Sequence, residues 1–284
     1  MASLAKNIPV PQKRMRGLPV LTAALAGAKT PIAAGAFYAM LIAFFVGILY
    51  PTISSLNFLD SYLTSSTIQG VVGTGVEIHH IAGFSGFLGI ELYGAFYGLL
   101  FGGVIAYIAG AALPLTIENG TLDLALSRPI SRTRYYLEIW GSTFVGSIIL
   151  SALTMLAVWL STLFVKNADI DWQWLTIAQL LQFAFLFFAA GMGMLFGSFL
   201  NASRTAGFTA VGIIFLGYSM NIFGALSDKF NWVLKAEPFY YTPAIQALLL
   251  HDFTRWYPWV LVGAGLVCGI VGLVIFNRRD LPTI

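Results

Sequence analysis

Six stretches of this chain carry no charged side chain over a length that can cross a bilayer. They are Ile32 to Tyr50, Leu92 to Ile117, Trp140 to Val165, Leu175 to Leu200, Thr205 to Ser227 and Trp256 to Asn277. An α-helix needs about 20 apolar residues to span the hydrocarbon. The stretches do not alternate apolar with polar residues, as barrel strands would. Only 10% of the 284 residues are charged and 58% are hydrophobic. A soluble domain is roughly 25% charged, and a single core of this size could not hide so much apolar surface. The expected fold is therefore an all-α integral membrane protein with six transmembrane helices.

The segment Asn7 to Lys29 mixes Lys13, Arg14 and Arg16 with Leu18, Val20, Leu21 and Leu25. That composition predicts a helix lying on the membrane surface before the first span. The first long apolar run starts late and is too long for the core of a cleaved leader. The organisation expected is a cytoplasmic N-terminal segment with its interfacial helix over 1–31, a six-helix membrane domain over 32–277, and a tail over 278–284.

Orientation follows the excess of Lys and Arg in cytoplasmic segments. With the N-terminus inside, eleven of the fifteen basic residues fall on the inner side: Lys6, Lys13, Arg14, Arg16, Lys29, Arg128, Arg132, Arg134, Arg204, Arg278 and Arg279. Lys166, Lys229, Lys235 and Arg255 fall outside. Both termini are expected in the cytoplasm. Low charge and a lone cysteine, Cys268, suit the plasma (inner) membrane of a prokaryote, and that one cysteine excludes an internal disulfide.

The loop between spans two and three, Glu118 to Arg134, has the punctuation of a short capped helix. Gly120 permits a sharp exit from span two. Leu122, Ala125 and Leu126 recur at helical spacing. Pro129 stops the helix, and Ser131 can cap the next one. The result is a short surface helix with one apolar face, which either docks in a groove of another protein or lies on the surface as a connector.

These residues carry a resemblance. Glu118, Gly120-Thr121-Leu122, Leu126 and Ser127-Arg128-Pro129-Ile130-Ser131-Arg132 resemble the E-x-G-T-L-x-x-L-L-S-x-P-[IV]-S-R signature of ABC-2 type transporter permeases. Pro238-Phe239-Tyr240-Tyr241-Thr242-Pro243 is similar to that family's S-P-F-x-Y-x-P segment, and the Arg278-Arg279-Asp280-Leu281 ending is also similar. The chain departs from the pattern at Ala125, where many relatives carry Leu, and at Glu237, where the family usually has Ser. The resemblance implies that Glu118 to Arg132 is a coupling helix docking on a nucleotide-binding subunit. Leu122 and Leu126 would be its apolar anchors and Arg128 and Arg132 its polar contacts, with Glu118, Gly120, Thr121 and Pro129 belonging to the same ATPase-coupling segment. It also implies partner ATPase subunits that hold ATP and Mg, and a second permease copy or paralogue. The chain has no G-x-x-x-x-G-K-[ST] phosphate loop, so no cofactor of its own is expected and covalent chemistry is assigned to none of its residues. Nothing in the sequence points to nucleic acid; the lipid bilayer is the expected surrounding.

Other features bear on function. Gly94, Gly98 and Gly102 lie four apart in span two, allowing close backbone approach for helix packing, a dimer seam or a substrate path. Gly193 with Gly197, and Gly265 with Gly269, repeat that spacing. Glu91 opens span two, and an intramembrane acid is a functional candidate. Glu77, His79, His80 and His251 could bind metal but read more simply as solvated loop residues, so no metal site is expected. Gly83-Phe84-Ser85-Gly86 matches the G-x-S-G of rhomboid-like proteases. None of the six stretches holds a His to serve as base, and Ser85 is expected in the outer loop. A secondary transporter is the other alternative, although neither paired intramembrane charges nor an internal repeat is evident. An amphiphilic small molecule, peptide or lipid is the expected cargo of an exporter.

Overall fold

The computed structural model describes residues 19–55, 83–127, 130–165, 168, 170–225 and 231–279, and every regular element among them is helical. In chain order these are α1 (Pro19–Gly27), α2 (Lys29–Ser55), α3 (Phe84–Leu88), a π-helical segment (Gly89–Phe101), α4 (Gly102–Glu118) and α5 (Thr121–Leu126). Then come α6 (Arg132–Thr162), α7 (Trp172–Phe199), α8 (Ser203–Ala225), α9 (Asn231–Ala236), a 3₁₀ turn (Pro238–Tyr241), α10 (Ala244–Leu250) and α11 (Tyr257–Arg278).

Among the described residues, five helices are long and apolar enough to cross a membrane: Phe84–Glu118, α6, α7, Ser203–Gly224 and α11. The count rises to six if the bent pair Val20–Gly27 and Ile32–Tyr38, turned by 50°, forms one span. Residues 7–18 of the expected surface helix lie outside the described residues. The part that is described, α1, is a separate helix packed on α6. Its first turn is held by Glu138, whose Oε2 accepts the N–H groups of Val20 (2.9 Å) and Leu21 (3.2 Å). Free N–H groups at a helix start attract a carboxylate.

The centre of the bundle is α7. Two-thirds of its apolar window (67%) is buried, against 28% for α8 and for α11. It packs on α4 and α11, and α4 packs in turn on α8. Small residues make those approaches possible. A Cβ added at Gly193 would lie 2.5 Å from the carbonyl oxygen of Ala106, and one at Gly197 would lie 2.7 Å from that of Gly110. Gly191 meets the backbone of Gly265 across the α7–α11 seam. In lipid, helix association depends on this kind of close backbone packing.

Capping residues set the helix starts. Ser131 Oγ accepts Arg134 N–H at the head of α6. Asp171 Oδ1 accepts the N–H groups of Gln173 and Trp174 at the head of α7. The second span starts earlier than its charge-free stretch: the helix begins at Phe84, because Phe84, Phe87 and Leu88 already form a buried face. Ser85 is thus on the first turn of that helix and not in a preceding loop.

Candidate functional site

One end of the bundle gathers the ends of α4, α7 and α11 with the starts of α6 and α8. Glu118, the last residue of α4, reaches the first residue of α8: its Oε1 accepts Ser203 N–H (2.8 Å) and its Oε2 accepts Ser203 O–H (2.6 Å). Arg132 Nη1 donates to Arg279 O (2.9 Å), and Arg279 Nη1 donates to Ser198 O (3.1 Å). Arg134 Nε donates to Glu138 Oε1 at 2.7 Å. These bonds tie α4 to α8, and α6 through α11 to α7, at this end.

The short helix α5 follows Glu118 at this end. Gly120 has φ +64°, a left-handed conformation that glycine adopts without a Cβ penalty. The chain therefore turns sharply out of α4, and Thr121 and Ser127 are exposed. Leu122 faces the other way. It is 3% exposed and belongs to an apolar cluster with Val20, Leu113, Tyr135 and Met194. Thus Leu122 fastens α5 to its own bundle, and Ala125 packs against the same cluster. Arg128 and Pro129 lie outside the described residues, and Leu126 is placed only as the last residue of α5.

At the opposite end, the stretch 231–250 folds into short elements packed on the bundle. The 3₁₀ turn drives Phe239 between helices. A Cβ at Gly98 would lie 2.5 Å from the Phe239 ring, and one at Gly102 would lie 2.5 Å from the Phe185 ring. The two rings meet at a centroid distance of 4.7 Å. Gly98 and Gly102 are therefore seats for aromatic rings of the same chain, while Gly94 is half-buried. Glu237 is 2% exposed. It caps the turn by accepting Phe239 N–H (2.5 Å) and also accepts Asn221 Nδ2–H (2.8 Å). Burial pushes its carboxyl up to about 7 against those bonds. This is the position where the resembling permeases carry Ser, and the longer acid performs the cap while reaching α8 as well. Glu91 is half-buried within electrostatic reach of Tyr218.

Between these ends lies a polar network that the sequence analysis missed. Tyr93 O–H donates to Gln179 Oε1 (2.9 Å), and Gln179 Nε2 donates to Tyr97 Oη (2.6 Å). Tyr97 Oη and Ser151 Oγ are 3.0 Å apart, and Gln182 Nε2 donates to Tyr93 O. The network links the π-helical segment, α6 and α7. Uncharged Gln179 and Gln182 leave an apolar run charge-free, so a search for charge passes over them. Two glutamines three residues apart inside one span were the signal available.

Among the described residues no group of three His, Cys, Asp or Glu could hold a metal ion. His251 stacks on Trp174 and its Nε2 lies 4.0 Å from Asp171 Oδ2. Glu77, His79 and His80 lie outside the described residues.

Long apolar helices around a buried polar network define a polytopic helical membrane protein. Comparison with known families makes it a transport permease. The chain belongs to the family described as multidrug efflux system permease Rv1217c, C-terminal domain, whose model matches residues 68–277. A search of curated proteins finds no match.

Proposed function

We propose that the chain is the transmembrane permease subunit of an ABC-2 type exporter. In this reading it has six spans, with the bent α1–α2 region supplying the first, and both termini are cytoplasmic in a prokaryotic plasma membrane. ATP and Mg bind to separate ATPase subunits. A second permease copy or paralogue completes the path, and the cargo is an amphiphilic drug-like molecule, peptide or lipid. The family's description as a multidrug efflux permease supports export.

The observation that carries the ATPase-linked reading is the placement of α5. It projects from the end of α4 through a left-handed glycine, and its root is fixed by Glu118 on Ser203 and by Leu122 in the apolar cluster. A push on such a helix passes into α4, α6 and α8 together, because stiff packed elements move as units. Closure of two ATPase subunits would supply that push mechanically.

The test is co-purification of this chain with the ABC ATPase encoded beside it. Leu126→Asp with Ser127→Asp alters α5 without touching Leu122. Loss of the ATPase from a variant that still reaches the membrane supports the reading. An ATPase retained by the variant, or never captured by the wild type, removes it.

A further inference from the structure

The start of α6 and the end of α11 lie side by side. Asn277 Nδ2 donates to Thr133 Oγ1 (3.1 Å), and Arg132 Nη1 donates to Arg279 O (2.9 Å). Behind these bonds the seam is closed. Phe276 is fully buried against the rings of Tyr135 and Tyr136, and Tyr136 O–H donates to Gly269 O at 2.9 Å. One flank of the seam stays open. Thr133 and Leu137 stand four apart on α6, and Ile270, Val274 and Asn277 recur at helical spacing on α11, so each set shares a face. All five are exposed, Leu137 to 48%, Ile270 to 54% and Val274 to 44%. Exposed Val267 continues the strip. From Asn277 to Val267 it runs roughly 15 Å at 1.5 Å per residue, half of a hydrocarbon layer about 30 Å thick.

The head of this flank is basic. Arg278 is exposed, and Arg132 and Arg279 are half-buried. Arg132 and Arg279 each donate to one backbone oxygen, Arg279 O and Ser198 O, which occupies only part of a guanidinium's donor fork. Among the described residues no carboxylate forms an ion pair with any of the three. Glu118 is engaged on Ser203, and Glu138 on α1 and Arg134. Cations at the helix ends above an apolar strip fit a molecule with an anionic head at the interface and a chain in the hydrocarbon. A protein partner in water reaches the arginines but not Val274, Ile270 and Val267. A symmetric second copy would set the same arginines against each other. Residues 1–18 of the chain are no better matched, with Lys6, Lys13, Arg14 and Arg16 and no acid.

We infer that the α6–α11 flank binds an anionic phospholipid of the leaflet at that end, with its phosphate on Arg132 and Arg278 and an acyl chain along Leu137, Val274 and Ile270. Guanidinium and phosphate form short, charge-assisted hydrogen bonds, and the strip beneath is one leaflet deep. The inference rests on α6 and α11 spanning a membrane and does not depend on an ATPase partner.

The test titrates the full chain, purified in neutral detergent without ATPase, with phosphatidylglycerol or phosphatidylcholine of matched chains. Bound lipid is counted by native mass spectrometry. Phosphatidylglycerol is expected to bind in a saturable first step about fivefold or more tighter than phosphatidylcholine, the worth of one basic residue near an anionic surface. Arg278→Gln, at an exposed side chain, should lower that preference by about the same factor. Arg204→Gln, at an exposed arginine on the head of α8, which packs on α4 and α7 away from this seam, should leave it in place. Glycerophosphoglycerol, the headgroup without chains, should not displace the bound lipid. Equal binding of the two lipids would identify ordinary surrounding lipid and overturn the inference. Equal losses from Arg278→Gln and Arg204→Gln would reduce the effect to general surface charge, and displacement by the chain-free headgroup would leave an anion site only; either result overturns it as well.

Discussion

The carboxylate of Glu118 closes both of its oxygens on Ser203, 2.8 Å to the backbone nitrogen and 2.6 Å to the hydroxyl. The end of one membrane helix thereby caps the start of another 85 residues away. Glu118→Ala removes both bonds and leaves the α8 start uncapped, at a cost of about 0.5–2 kcal/mol. The expected result is a lower midpoint for loss of monodisperse protein on heating in detergent. Ser203→Ala keeps the backbone bond and should cost less. An unchanged midpoint for Glu118→Ala would mean that the cap contributes nothing.

Leu122 separates the stability of the bundle from the proposed docking of α5. It is 3% exposed inside the chain's own cluster, so Leu122→Ala should destabilise by about 2–5 kcal/mol. Ser127 is exposed and buries no apolar surface, so Ser127→Asp should cost less than Leu122→Ala. Comparing the two variants by thermal midpoint in the absence of any ATPase tests this difference. Equal midpoints would contradict the inward placement of Leu122.

The α4–α7 seam has no room for a methyl group. A Cβ at Gly193 would stand 2.5 Å from a backbone oxygen, an obstacle that no rotamer change relieves. Gly193→Ala should cost about 1–3 kcal/mol. Gly212 has nothing within 4 Å of the same added atom, so Gly212→Ala in α8 should be neutral or stabilise by up to about 1 kcal/mol. Opposite signs for these two substitutions are the expected reading of a melting experiment.

Glu237 makes stability depend on pH. Burial raises its folded-state value from 4.5 to about 7, so between those limits the folded protein binds more protons than the unfolded one. Stability contributed by this group is then highest below about 4.5 and declines as pH rises towards about 7. Glu237→Gln keeps a carbonyl to accept Phe239 N–H but cannot ionise. Its melting midpoint should change less across that interval than the wild type's; parallel profiles would refute the assignment.

Much of the architecture was legible along the chain. Charge-free runs locate the long helices, because lipid enforces both length and apolarity. Ser131 and Gly120 announced their turns through local backbone chemistry, and the structure has them as a cap and a left-handed residue. The start of the second span was misread: buried Phe84 and Phe87 extend the helix past Glu91, whose charge marked the apparent boundary. The apolar spacing of Leu122 and Ala125 was also visible, but spacing states only that a face needs cover and not which surface covers it.

By itself, then, the sequence determined a helical membrane protein, the approximate extent of its long helices and the turn that ejects α5, all properties of neighbouring residues and of the solvent around them. Only the tertiary structure decided that Glu118 belongs to Ser203, that Gly98 and Gly102 receive the rings of Phe239 and Phe185, and that Tyr93, Tyr97, Ser151 and Gln179 share one network. Those pairings join residues tens of positions apart. They depend on which helix faces meet and how closely small residues let them approach, and neutral hydroxyls and amides leave almost no trace in a pattern read by charge and apolarity.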